Sequence, residues 1–574
     1  MTERFRLFPA ALIGGASLIL ALGADLPAGH AATGAADGID AMMRSPYGHY
    51  LAGRYAQQKF NYHDAAALYA LPLEADPNNP TLLTSAYLAL IGDGQVSEAA
   101  ALAQRLVTIA PDDRLADMVL ALGTIKDGQW ARAAARLDSM SSAGLSALVA
   151  PLLKGWVAVG LGKPDDAQTA AAALAHTKGM SAIVELQLGL MYDVAGRADM
   201  AETHYRQALA NVAQGSLRLV ELVGNFYQRQ NKIAEAKALY DKASGDMSGG
   251  MWLDQMRRTL DAGAKVAPLV ATPQQGAAEV LFEIATILVQ QEAPEPGLRF
   301  GRLALDLQPD FTLARMLVAG VVSGQNHGEE AIALYREVPP DTVFGWQARL
   351  DIALELDKLD RADEAVALLQ QLIKERPEQI EARIQLGIVQ RGHERYAEAA
   401  VAYSDVLQAI GEPKPEHWSL FYFRGICYER GKQWPKAEAD LRKALELSPD
   451  QPLVLNYLAY SWIEMGQHLD DALDMLRKAV AARPNDGYIV DSLGWAYFRL
   501  GRYDEAVSNL EHAVEFKPVD PTINDHLGDA YWRAGRHVEA RYQWRRALLF
   551  KPAADQVSTI EAKIEKGLSE SSGG

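Results

Sequence analysis

The sequence predicts an all-α protein, a solenoid of helix-turn-helix repeats wound as a right-handed superhelix, with roughly fourteen repeats in two halves. Three observations carry this prediction. Small, aromatic and proline positions recur at a fixed shift of 34 residues towards the carboxyl end. At 574 residues the chain is too long for one compact core, yet its 49% hydrophobic and 22% charged content is ordinary for a soluble protein. Its single cysteine, Cys427, excludes an intramolecular disulfide and a thiolate metal cluster, so packing alone must hold the fold. Cys427 lies between Ile426 and Tyr428 in an apolar helical pattern and reads as a core residue.

Residues 1–32 read as an address rather than as part of the fold. Arg4 and Arg6 precede an uncharged stretch, residues 7–24, and the small residues of Gly29-His30-Ala31-Ala32 offer a cleavage site after Ala31 or Ala32. A cleaved signal and a periplasmic mature protein are expected, with an uncleaved membrane anchor as the rival reading. Pro9, Gly14 and Gly15 dilute the apolar segment and favour cleavage. No cysteine follows that segment, so no lipid anchor is evident.

The repeat is clearest at the carboxyl end. Leu493-Gly494, Tyr497, Gly501, Tyr503, Ala506, Leu510, Ala513 and Pro518 are echoed by Leu527-Gly528, Tyr531, Gly535, Ala540, Trp544, Ala547 and Pro552. Gly494 and Gly528 sit where a first helix crosses its second, and a side chain there would push the backbones apart. Gly501 and Gly535 close the first helix in the left-handed conformation. The alanines let helices approach, while Tyr497, Leu510, Tyr531 and Trp544 fill the wedges between them. Pro518 and Pro552 stop the second helix. These residues match the pattern of the tetratricopeptide-repeat family, and the chain closely resembles it.

Walking the frame backwards gives an amino-terminal array over residues 46–243 and a carboxyl-terminal array over residues 278–554. Residues 244–277 break the register with Ser248-Gly249-Gly250, Pro268 and Pro273. They read either as a hinge between the halves or as a degenerate repeat. Residues 555–574 supply a capping helix and a polar tail, because the last repeat of a solenoid otherwise exposes an apolar face.

Sites for chemistry are missing from the sequence, and no cofactor is expected. The twelve histidines never pair at i, i+4, so a zinc-protease helix is absent. Gly160-Leu161-Gly162-Lys163 fails as a phosphate loop because Pro164 replaces the hydroxyl residue and Val157 the first glycine. A formal charge of −17 argues against nucleic acid, which requires a basic stripe. The expectation is a non-enzyme.

The resemblance implies a protein-binding groove lined by fixed positions of each first helix. In the last four repeats these are Tyr422, Asn456, Tyr460, Asp491, Trp495, Phe498, Asp525, Asp529 and Trp532. Such an aromatic and acidic surface suits a protein or peptide segment carrying basic and apolar residues. The competing reading packs several of these aromatics against neighbouring helices. Related repeats that clamp a terminal carboxylate carry lysine, arginine and asparagine where this chain has Asp491, Asp525 and Asp529, so a carboxylate clamp is not expected. The blocks Leu455–Trp462, Asp491–Tyr497 and Ile523–Asp529 also resemble a bacterial family of exported repeat proteins. Among them is a lipoprotein adaptor that brings substrates to a carboxy-terminal processing protease. That likeness implies an adaptor or scaffold in the cell envelope. A structural subunit of an exopolysaccharide or other envelope export complex is the alternative.

Overall fold

The computed structural model describes residues 45–568 apart from 141–142, 175–176, 178, 212–215 and 247–249. The expected signal at residues 1–32 lies outside them. Among the described residues the chain is helical throughout. Fourteen helix pairs run from Pro46–Gln58 with Tyr62–Ala75 to Pro521–Arg533 with His537–Leu549, and two further helices, Gly250–Asp261 and Ala554–Lys566, stand outside the pairs.

Local chemistry sets the helix ends. Side chains of Asn79, Asp113, Thr342 and Asp520 accept the orphan backbone N–H groups of the helices they precede. Seven second helices, among them those ending at Ala75, Glu375 and Phe516, are followed two residues later by a proline.

The crossing inside a pair rests on one contact repeated along the chain. A glycine in the first helix faces a large side chain sixteen residues on, as in Gly53 with Tyr69, Gly189 with Tyr205, Gly387 with Tyr403, Gly494 with Leu510 and Gly528 with Trp544. A methyl group on these glycines would lie 2.5–2.9 Å from the facing side chain. Tyr69, Tyr205, Tyr403, Leu510 and Trp544 are all completely buried. The glycine therefore supplies the space that the large side chain occupies, and the helices close on it.

Seven residues after that position the chain turns with a positive φ. Gly501 (73°) and Gly535 (81°) behave as the sequence reading required, but Phe60, Glu292, Asp360, Glu394 and Lys432 adopt the same conformation at 57–61°. The packed pair imposes this turn even where no glycine eases it.

The helices assemble into two compact units, and the division is not sequential. One comprises residues 1–214, so far as they are described, together with Pro268–Pro309; the other comprises Gly215–Ala267 and Asp310–Gly574. This differs from the boundary read at residues 244–277. In the second unit the helix Gly250–Asp261 bridges non-consecutive pairs: Trp252 donates from Nε1 to Glu221 (3.1 Å) and meets the Phe344 ring edge-on at 5.0 Å. The pair Leu217–Arg229 with Ile233–Asp246 thus belongs with the carboxyl-terminal repeats. The pair Pro273–Gln290 with Pro294–Leu307, read as the first repeat of the 278–554 array, packs in the first unit on the first helices Pro80–Asp93, Arg114–Lys126, Ser146–Gly160 and Ser181–Val194.

Candidate functional site

Four first helices of the second unit carry the nine residues read from the sequence: Trp418–Arg430, Pro452–Met465, Gly487–Arg499 and Pro521–Arg533. Their shared position in the repeat puts them on one face, but their environments diverge.

On the first two helices the side chains remain partly accessible. Tyr422 is half-buried and packs edge-on against Tyr457 (5.9 Å between centroids), with Trp418 and Phe423 beside it. Burial pushes its phenol up to about 12. Tyr457 donates its hydroxyl to Glu429 at 2.8 Å, which fixes the floor of this region. Asn456 is half-buried, and its side-chain carbonyl oxygen is shielded from solvent without a hydrogen-bond partner. One turn further along, Tyr460 is half-buried, and burial, reinforced by Glu464 and Asp491, raises its pKa.

On Gly487–Arg499 the aromatic and acidic positions interlock. Trp495 stacks between Phe498 (4.7 Å) and His526 (4.0 Å) and donates its indole N–H to Glu464 at 2.5 Å. Asp491, buried, accepts from His526 Nδ1 at 3.0 Å. Burial opposes a charge on His526, but Asp491, helped by Asp525 and Asp529, outweighs it and holds the imidazole pKa above its ordinary value. Phe498 is itself buried.

The last repeat is covered by the chain's own terminal helix. Lys563, on Ala554–Lys566, reaches both Asp525 and Asp529 at 2.8 Å. Asp529 also accepts from Trp544 Nε1 at 2.8 Å. Burial raises the Asp529 carboxyl to about 6 despite Lys563. Trp532 stacks on His537 at 4.1 Å with Arg541 above its ring, and Gly567 lies so close that a methyl group there would overlap the indole.

The nine residues therefore fall into two groups. Tyr422, Asn456, Tyr460 and Trp495 keep part of their surface. Asp491, Phe498 and Asp529 are buried, Asp525 and Trp532 keep part of their surface but meet the chain's own carboxyl-terminal segment, and the three aspartates expected to meet a basic segment have partners within the chain. Glu464, His526 and Lys563 were not singled out from sequence. His526 and Asp491 lie 35 residues apart on adjacent repeats, a spacing that one repeat length could have flagged. Lys563 carried no such signal, because the cap stands outside the repeat frame. Among the described residues no group of His, Cys, Asp and Glu could hold a metal ion.

Comparison with known proteins agrees with the helix pairs. A model described as "TPR repeat" matches residues 494–535, and one described as "Tetratricopeptide repeat" matches residues 152–216, 350–413 and 404–452. A TPR repeat-containing protein of Pseudomonas aeruginosa is 30% identical over 186 residues, which is 32% of this chain and 30% of that protein. The match thus spans about a third of that relative's length. A small glutamine-rich tetratricopeptide repeat-containing protein of Mycosarcoma maydis is 40% identical over 65 residues, 11% of this chain and 18% of its own. Among solved structures, the APC/C Cut9–Hcn1 hetero-tetramer gives a TM-score of 0.38 at 15% identity, covering 94% of this chain and 99% of that one. YrrB, titled a TPR protein with an unusual peptide-binding site, gives 0.26 at 24% identity over 31% of this chain and 90% of its own. With glycine crossings recurring at a sixteen-residue spacing and repeat models matching in both units, the chain carries tetratricopeptide repeats and folds as a solenoid of them.

Proposed function

We propose that this protein is a non-catalytic adaptor that holds a segment of a protein partner on the first-helix face around Tyr422, Asn456, Tyr460 and Trp495. Tetratricopeptide repeats mediate protein–protein interaction, and the repeat fold is typically a non-catalytic scaffold. The observation that carries the location is the row of half-buried aromatics, Tyr422, Tyr460 and Trp495, on successive first helices. Tyrosine and tryptophan with one face accessible offer apolar area at low entropic cost. The segment that fits has apolar side chains. Basic charge is a lesser requirement, since Asp491, Asp525 and Asp529 already have partners.

The setting we propose is the bacterial cell envelope. The basic, apolar and small-residue order of residues 1–32 supports export, and the resemblance to exported adaptors supports recruitment of substrates to a periplasmic processing protease. Crosslinking and capture from an envelope fraction test the site. Trp495→Ala and Tyr460→Ala should each reduce capture about tenfold or more, while Gln371→Ala, on an exposed second-helix surface, should not. Full capture by both folded variants would place the partner elsewhere. Fractionation that finds the intact amino terminus in the cytosol would overturn the export reading.

A further inference from the structure

The pair Pro273–Gln290 and Pro294–Leu307 is joined by the same positive-φ turn as the repeats, at Glu292, but does not have the neighbours of one. It lies across first helices of the first unit, on the kind of face that the proposed function assigns to a partner in the second unit.

The fit is specific in both its apolar and its polar parts. Trp156 is completely buried, and the backbone at Gly276 passes so close that a methyl group there would sit 2.2 Å from the indole. The same indole donates to Gln187 Oε1 at 2.7 Å, and Gln187, also completely buried, donates to Glu283 Oε2 at 3.0 Å. Arg302 is buried and donates from Nε to the carbonyl oxygen of Gly92 at 3.2 Å. Lys126 pairs with Asp306 at 2.7 Å. Leu281, Leu298 and Leu303 of the hairpin are buried. Departure of the hairpin would break the hydrogen-bonded chain through Gln187, break the bond from Arg302 to Gly92 and expose Trp156, so loss of polar pairs and of apolar burial act together.

We propose that the first-helix face of the first unit is a groove filled in cis: residues 273–307 act as its permanent intramolecular ligand, and an external partner is taken by the second unit alone. The last clause rests on the proposed function; the occupancy of the groove does not. A displaceable lid would be held by exposed, weakly packed contacts. This hairpin is held by buried ones.

The test uses the full chain. Amide hydrogen exchange should show residues 277–288 and 298–304 protected to within about tenfold of residues 149–157 on the host helix, since both belong to one cooperative unit. A fluorescent synthetic peptide of residues 268–309 should not bind. In the double variant Gly276→Leu with Arg302→Glu, exchange should rise on the order of 100-fold in the hairpin and in Ser146–Gly160 and Ser181–Val194 together, and the labelled peptide should then bind. Exchange of the wild-type hairpin far faster than that of its host helices would overturn the proposal by showing a detachable lid. Peptide binding to the wild type would do the same. Should the double variant fail to fold, the wild-type exchange and peptide measurements decide alone. Neither depends on Trp495 or Tyr460, so loss of this proposal and loss of the partner site are read separately.

Discussion

Replacing Gly528 with alanine tests the crossing contact on which the repeats depend. The added methyl carbon would lie 2.5 Å from both Cδ1 and Nε1 of Trp544, against about 3.5–4.0 Å at a normal carbon contact. The indole is completely buried, so it has no free space to move into. Overpacking of this kind costs about 1–3 kcal/mol. The edge that must move also carries the N–H donated to Asp529 at 2.8 Å, and weakening a hydrogen bond to a charged group adds up to about 1.5–3 kcal/mol. Alanine returns about 1 kcal/mol through helix propensity. The expected net destabilisation is about 2–4 kcal/mol.

A solenoid with two units need not unfold in one step, so local amide exchange is a better assay than a global denaturation midpoint. At about 1.4 kcal/mol per tenfold, exchange in Pro521–Arg533 and His537–Leu549 should accelerate about 30- to 700-fold. Gly320→Ala is the control. Gly320 is exposed within Thr312–Gly324, and its nearest neighbour, the Tyr335 hydroxyl, lies 3.9 Å away. Propensity alone acts there, and exchange should slow on the order of fivefold, the factor for about 1 kcal/mol. If Gly528→Ala behaved like Gly320→Ala, the crossing would not depend on the missing side chain and the packing argument would fail.

Further expectations concern the turns and the cap. Lys432→Gly relieves a left-handed residue at φ 57° whose side chain is exposed, and should stabilise its pair by about 0.5–1 kcal/mol in local exchange. The reverse change, Gly501→Lys, should cost about 1 kcal/mol. Lys563→Met leaves Asp525 and Asp529 facing each other without their cation, and should release Ala554–Lys566 with a rise in exchange on the order of 100-fold. Lowering the pH to 5 should partly rescue this variant as Asp529 takes up a proton. In the wild type, the last two repeats should lose stability as pH rises. His526 is held above its ordinary pKa of about 6.5 by Asp491, Asp525 and Asp529, so its contribution is complete below that value and disappears as pH rises through the folded pKa. Asp529, raised to about 6, acts with the same sign between about pH 4 and 6, where only the folded state retains the proton. His526→Gln should flatten the dependence above pH 6.5, measured by exchange in Pro521–Arg533.

The helix pairs were legible in the sequence because their determinants are local. Gly494 and Leu510 lie sixteen residues apart within one pair, and their sizes are complementary by residue type alone. The turns were only partly legible. Glycine at 501 and 535 announces a left-handed residue, whereas Phe60, Glu394 and Lys432 are forced into it by the pair they join. The candidate site was legible as a face but not as a surface. Position in the repeat put Asp491, Asp525, Asp529 and Trp532 on the first-helix face that also carries Tyr460 and Trp495. Whether a carboxylate stays open depends on what lies one repeat away or beyond the array. His526 and Lys563 decide that, and neither belongs to the repeat pattern of the groove.

The pair at residues 273–307 shows why a period cannot by itself locate a repeat. The pattern records how a first helix fits its own second helix, and this pair closes by a different contact, Gly297 of the second helix against Val289 of the first. Stacking is a separate choice, made by surfaces that the period does not encode: Trp156 and Gln187 on one side, Gly276, Glu283 and Arg302 on the other. Once that pair leaves the line, the repeats on either side must meet by other means. Gly250–Asp261 supplies them, with Trp252 held between Glu221 and Phe344 and Asn225 donating to the Ala267 carbonyl at 2.9 Å. The irregular stretch that the sequence shows between residues 244 and 277 is therefore the connection required by an out-of-line pair. Removing the Trp252 contacts with Trp252→Ala should loosen Leu217–Arg229 and Val343–Lys358 together in amide exchange while leaving the protection of residues 277–288 unchanged. Loss of protection at 277–288 as well would show that bridge and hairpin are one cooperative element rather than two separate solutions.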